Sequence, residues 1–186
     1  IIGLYVKGGS GNSGGPAKSM RQGLRGMLSK AECSHWQELL ATDYGITADL
    51  QRLNGEFDLN LGVEVKGEMR WVLKIMRPNC ETGLVEMQIA ALNHVRDVDP
   101  DLPVPRVEKS SAGAESIIWP DRDGKRRIAW LINALPGVPY GSLRPHTVEL
   151  MEQTGGVLAR LTKALVNFEH TALARDLKWH PMRPRL

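Results

Sequence analysis

Lys74 stands in the middle of Trp71-Val72-Leu73-Lys74-Ile75-Met76, an otherwise apolar stretch with the texture of a β-strand. An ammonium there is costly to bury unless something partners it. The plainer reading is that its stem lies along apolar surface while the charge reaches an edge. Glu86 follows on the polar side of a helical pattern, one turn in. A carboxylate there would pair with a strand lysine and hold it extended; otherwise it belongs to a solvated helix face. Ahead of both, Asn54-Gly55 forms a turn into the hairpin whose second strand carries Lys74. Backbone amides in such a turn can cover phosphates, although a tight turn alone would also explain the glycine. A glycine turn, a strand lysine and a helix glutamate, in that order, match the half of a phosphate-transferring enzyme that holds the nucleotide.

Other chemistries find less support. Gly9-Ser10-Gly11-Asn12-Ser13-Gly14 satisfies G-x-G-x-x-G after a strand-like start. A dinucleotide fold, however, needs a helix opening at the last glycine and an acid about 20 residues on. Gly15-Pro16 and a basic stretch follow instead, and no Lys-Ser or Lys-Thr completes a P-loop. A Gly/Ser linker explains this segment better, and its glycine content disfavours an amphipathic transit helix. Cys33 and Cys80 lack metal-ligand spacing and are too few for a disulfide scaffold, so free thiols in a reducing, cytoplasmic setting are expected. The five histidines form no zinc-binding cluster.

The elements that must position Lys74 are legible in turn. Ser29 is placed to cap a helix reaching Leu40 and Ala41, with Glu32 completing a capping box and Gly45 as the stop. Residues 48–53 read as a short strand. Leu59, Leu61, Val63 and Val65 alternate, Gly67-Glu68 is placed as the turn, and residues 69–76 form the return strand. Val85, Ile89, Leu92 and Val95 recur at helical spacing over 84–96. Pro100, Pro103 and Pro105 mark an extended connector, and residues 115–119 and 126–134 are strands around Asp121-Arg122-Asp123-Gly124. A long helix then carries Leu150, Thr154, Val157, Leu158, Leu161 and Leu165 on one face; its Gly155-Gly156 pair suggests a close helix contact. The order predicts an α+β layer: five strands in a mainly antiparallel sheet with a helix on one face.

The chain has 186 residues, 42% of them apolar and 24% charged, a globular composition. No run approaches the ~18 apolar residues of a membrane span. Its pI of about 9.0 invites a nucleic-acid reading, but the charge is unevenly spread. Residues 1–30 hold Lys7, Lys18, Arg21, Arg25 and Lys30 and no acid, which leaves 19 basic against 21 acidic residues beyond them. The body is therefore slightly acidic. With aromatics at only 5% and no basic patch interleaved with them, neither nucleic acid nor membrane is an expected partner.

Asn54-Gly55-Glu56-Phe57-Asp58-Leu59-Asn60 resembles the Gly-Glu-x-Asp-x-Asn turn of the aminoglycoside-phosphotransferase/choline-kinase-like superfamily, and within it the hydroxylysine-kinase-like branch. Val72-Leu73-Lys74-Ile75 is similar to its lysine strand, and Leu84-Val85-Glu86-Met87-Gln88 to the start of its glutamate helix. Leu102-Pro103-Val104-Pro105 is similar to its proline link, and residues 131–137 to its fifth strand and Leu-Pro-Gly hinge. The helix segment 155–161 and the stretch 170–179 also fit, so the resemblance runs over about residues 29–180 in order. His180 departs from it, since the branch carries an acid after the tryptophan. The resemblance implies a protein-kinase-like N-lobe over 29–135, preceded by a flexible segment over 1–28. Residues 136–186 would then be a link and the first helices of a truncated C-lobe. Lys74 would contact the α- and β-phosphates of ATP, and Glu86 would orient it. Gly55, Glu56, Asp58 and Asn60 would cover the phosphates, and the backbone at Asn133, Ala134 and Leu135 would meet the adenine.

The superfamily places its catalytic base in His-Gly-Asp, with a metal-binding Asn five residues after the Asp and a further metal-binding Asp beyond. No His-Gly-Asp occurs here. No catalytic or metal-binding residue is therefore assigned, and Mg2+ ligands are expected in a missing C-terminal part. Both ends of the chain read as cut, and 186 residues are too few for both lobes. The expectation is the N-terminal fragment of an ATP-dependent phosphotransferase, inactive alone, for a hydroxyl on a small amino acid or amino alcohol such as hydroxylysine. The alternative is a non-catalytic nucleotide-binding or regulatory module. The branch includes fusions to class III aminotransferases, which makes such a domain a candidate neighbour in the full protein.

Overall fold

The computed structural model describes residues 5–6, 28–55 and 57–174. Most of the Gly-rich N-terminal segment, Glu56, and residues 175–186 with His180 lie outside the described residues. Helix α1 spans Lys30–Tyr44. Ser29 Oγ accepts the Glu32 amide at 3.2 Å, and the Glu32 carboxylate accepts the Ser29 amide at 2.9 Å. The Ser29 amide, and the Ser29 hydroxyl that donates to the same carboxylate at 2.8 Å, hold the Glu32 carboxyl below its ordinary pKa. Gly45 closes the helix at φ 66°, a left-handed conformation that glycine adopts without a Cβ penalty.

The strands are β1 (Tyr5–Val6), β2 (Asp49–Leu53), β3 (Leu59–Val65), β4 (Glu68–Ile75), β5 (Val107–Glu108), β6 (Ile117–Pro120), β7 (Arg126–Asn133) and β8 (Val138–Pro139). Six of them form one sheet in the order β2-β3-β4-β7-β5, with β6 following β5 along the same side of β7. Every pairing is antiparallel. The separate pair β1–β8 joins Tyr5 to Pro139 and Val6 to Val138. The predicted α+β class and antiparallel sheet stand. The sixth strand, β5, has only two residues and falls in the connector that three prolines had marked as extended.

The pleat divides the core. Leu61, Val63, Leu73, Ile75, Ala129 and Leu131 face α1, whose Trp36, Leu39 and Leu40 are buried on them. Ile128 and Trp130, one residue out of phase, point to the other face. There they meet Leu84, Val85 and Ile89 of helix α2 (Thr82–Val98). Helices thus cover both faces rather than the single one expected, because the α1 sequence hides its buried stripe: Trp36, Leu39 and Leu40 are the only fully buried side chains in its 15 residues. The β3–β4 hairpin turns at Lys66 and Gly67, both with positive φ (54° and 79°), one residue earlier than the sequence suggested. At the β6–β7 turn, Asp121 accepts the amides of Asp123 and Lys125 and pairs with Arg127 at 3.2 Å. Burial pushes its carboxyl upward, but these donors outweigh that and lower it overall.

Helix α3 (Val148–Ala164) packs against the far end of α2. Val157, Leu161 and Leu165 surround Val95, Leu102, Val104 and Ala164. Arg160 grips Asp99, at the α2 C-terminus, through two bonds of 2.6 and 2.9 Å. The close helix contact expected at Gly155-Gly156 is not made among the described residues: a Cβ built on either would meet nothing within 4 Å. Leu158, placed on the packed face by its spacing, is exposed. Alanine at 155 and 156 is therefore expected to raise stability by about 1 kcal/mol per site, from helix propensity alone. Urea unfolding of G155A and G156A checks this; a loss of stability would mean that another surface covers the pair.

Candidate functional site

The hairpin β3–β4 begins at the turn 54–58 and ends at Lys74, and the sheet register brings the two together. Lys74 lies directly opposite Asn60 on β3 and opposite Trp130 on β7. Its Nζ donates to Asn60 Oδ1 at 3.1 Å and stands 5.6 Å from the Trp130 ring centroid, within cation–π range. The side chain is half-buried. Burial pushes the Lys74 ammonium below its ordinary pKa, and the nearby Asp58 charge partly counters this.

The turn folds tightly onto the same side chains. Asn60 Nδ2 donates to the Asn54 carbonyl at 3.1 Å, and the Arg77 amide donates to Asp58 Oδ1 at 2.9 Å. A Cβ on Gly55 would lie 2.2 Å from the Asp58 carbonyl oxygen and 2.7 Å from Asn60 Nδ2. No larger residue fits without opening the turn, so the glycine is required by close approach rather than by a positive φ. Phe57 projects at the tip, 57% exposed. Gly55, Asp58, Asn60 and Lys74 are thus gathered in one place.

Glu86 is not part of that group. It is exposed on α2, and no ion pair among the described residues includes it or Lys74. It lines a groove of about 770 Å³ along α2 with Asn93, His94, Asp97, Glu115 and Glu169. The expected pairing therefore gives way to Asn60, because α2 turns Leu84, Val85 and Ile89 toward the sheet and carries residue 86 to the side. At the end of β7, the Asn133 amide donates to the Arg106 carbonyl and the Ala134 amide to the Arg70 carbonyl. Two of the three backbone positions assigned to adenine already spend their amides internally. Leu135 N–H is the first without a partner among the described residues.

Asn60 as the lysine's partner and Trp130 beneath it were not assigned these roles from the sequence. The signal lies in the register. Counting outward from the turn pairs Val65 with Glu68 and Glu64 with Met69, which would set Lys74 against Leu59. An irregularity between Val63 and Glu64 shifts the pairing by one residue and sets it against Asn60. The residue left over on β4 is Arg70, whose carbonyl receives the Ala134 amide.

The arrangement can neutralise an anion. An ammonium has three N–H donors, and Asn60 occupies one. Among the described residues no cluster of three or more His, Cys, Asp or Glu gathers to hold a metal ion. No described helix is long and apolar enough to cross a membrane.

No protein-family model matches the chain, and no curated protein matches it. Solved structures do. An amicoumacin kinase, hAmiN, in complex with AMP-PNP, Ca2+ and Ami is 13% identical over 66% of this chain and 36% of its own, with a TM-score of 0.52. A microcompartment-associated aminopropanol kinase is 19% identical over 77% of this chain and 44% of its own, with a TM-score of 0.56. The chain spans less than half the length of either. At these identities the likeness is one of fold: the chain shares the backbone arrangement of part of two small-molecule kinases.

Proposed function

We propose that this chain is the nucleotide-holding part of an ATP-dependent phosphotransferase of the aminoglycoside-phosphotransferase-like superfamily, in its hydroxylysine-kinase-like branch. The acceptor would be a hydroxyl on a small amino acid or amino alcohol. The observation that carries the proposal is Lys74, half-buried beside a turn that only glycine can close, bonded to the Asn60 amide and in no carboxylate ion pair among the described residues. The kinase neighbours support the same reading, and one of them was solved with the nucleotide analogue AMP-PNP. Residues 29–135 would form the lobe that grips the nucleotide, and residues 136–186 the entry to a second lobe.

In this reading Lys74 neutralises phosphate charge, the turn 54–60 covers it, and Leu135 N–H faces the adenine. Such groups act by positioning and charge stabilisation rather than by activating the acceptor. Mg2+ would supply charge neutralisation at the phosphates, and none of the described residues is assigned to hold it. Calorimetric titration of the chain with ATP and Mg2+, beside adenosine and tripolyphosphate, tests the proposal. Saturable ATP binding, tighter than that of either half-ligand, is the expected result. Equal affinity for ATP and adenosine would show that the phosphate contacts at Lys74 do not operate.

A further inference from the structure

We propose that Asn60 is the positioning residue of this site: its carboxamide holds Lys74 extended and ties it to the glycine turn, in place of a helix carboxylate. The proposal rests on the nucleotide reading for its purpose, but its geometry stands apart from it. Asn60 makes two bonds in opposite directions. Oδ1 accepts from Lys74 Nζ at 3.1 Å, and Nδ2 donates to the Asn54 carbonyl at 3.1 Å. One rigid amide plane therefore links the covering turn to the strand lysine.

A neutral partner has a chemical consequence. A carboxylate bound to Lys74 would offset part of the positive charge presented to an incoming phosphate. An amide oxygen orients the ammonium and adds no negative charge of its own. Asp58, whose charge acts on Lys74 without a bond to it among the described residues, has its Oδ1 engaged by the Arg77 amide. The link also couples two events: an anion that draws Lys74 forward pulls on Asn60, and through Asn54 on the start of the turn. Gly55 allows this because the Asn60 amide occupies the space where a Cβ would stand.

The test uses the full chain with Asn60→Ala and Asn60→Asp and reads two quantities. One is the pH titration of Lys74 Nζ by 15N NMR, assigned with K74R; the other is ATP affinity. Asn60→Ala removes the acceptor, so Lys74 should titrate at lower pH than in the wild type, and ATP should bind three- to ten-fold more weakly. Asn60→Asp supplies a charged acceptor, so Lys74 should titrate at higher pH. It should not recover wild-type ATP affinity, because the donor to Asn54 is gone and the new charge competes with phosphate. A merely structural Asn60 would not move the lysine in opposite directions in the two variants. Unchanged Lys74 titration in both overturns the proposal, and Asn60→Asp keeps the test valid if the alanine variant folds poorly. A shifted Lys74 titration in a chain that binds no ATP would overturn the nucleotide reading and leave the Asn60–Lys74 link standing.

Discussion

Lys74→Met is expected to weaken ATP binding roughly ten- to hundred-fold, the effect of losing charge-assisted hydrogen bonds worth about 1.5–3 kcal/mol. Methionine keeps the length and apolar stem of the side chain, so packing against Trp130 survives while the charge and its bond to Asn60 leave. The fold should be no less stable, since replacing a half-buried charge with an apolar side chain removes a desolvation penalty. The pH dependence gives a second check with a definite sign. Burial holds the folded-state pKa of Lys74 below its unfolded value. Between those two values the unfolded chain binds more protons than the folded one, so the wild type should gain stability as pH rises through that alkaline window. Lys74→Met should lose that gain. ATP binding should show the opposite trend, weakening as the lysine sheds its proton. Calorimetry and urea unfolding over the same pH series measure both, and an ATP affinity unchanged in Lys74→Met would sink the assignment.

The second large effect concerns the opposite face of the sheet. Leu61, Leu73 and Leu131 stand side by side across β3, β4 and β7, all at 0% exposure. Trp36, Leu39 and Leu40 of α1 close over them. Leu73→Ala would leave a cavity where three strands and a helix meet, and it should cost about 2–5 kcal/mol. Against a typical domain stability of about 5–15 kcal/mol, that is a large share. Urea unfolding should show a lower midpoint with the slope unchanged. A loss below about 1 kcal/mol would mean that α1 does not seal this face. Leu73 neighbours Lys74 but points the other way, so ATP binding by the folded fraction should be retained.

Most elements could be read from the chain because their signals are local. Ser29 with Glu32, Gly45, the 66–67 turn region and Asp121–Gly124 each fix their backbone through bonds to near neighbours. Lys74 was legible for a related reason: an ion in an apolar strand is conspicuous wherever the strand goes. What could not be read depends on register and on docking. A one-residue irregularity at Val63–Glu64 decides that Asn60, not Leu59, faces Lys74. The rotation of α2 about its own axis decides that Glu86 points away, and side-chain type alone does not fix that rotation. Strand β5 is two residues long and owes its existence to β7, not to its own alternation. The open surroundings of Gly155-Gly156 show the same limit from the other side, since glycine signals a close neighbour only when one is actually present.

The place of β7 has a consequence for how the chain assembles. It is the innermost strand on its side, flanked by β4 on one edge and by β5 and β6 on the other, yet 50 residues separate the end of β4 at Ile75 from its own start at Arg126. Helix α1 and the strands β2, β3 and β4 are contiguous and can meet early. Their core still lacks Ala129 and Leu131 until β7 docks. Loops must close at an entropic cost before such distant pairing is rewarded. Insertion of β7 is therefore the step at which both apolar layers are completed together, and a nascent chain halted short of Arg126 would display the bare edge of β4 and the underside of α1. In a growing polypeptide that edge stays unpaired until synthesis passes Asn133, the interval in which this fold is most open to the wrong strand.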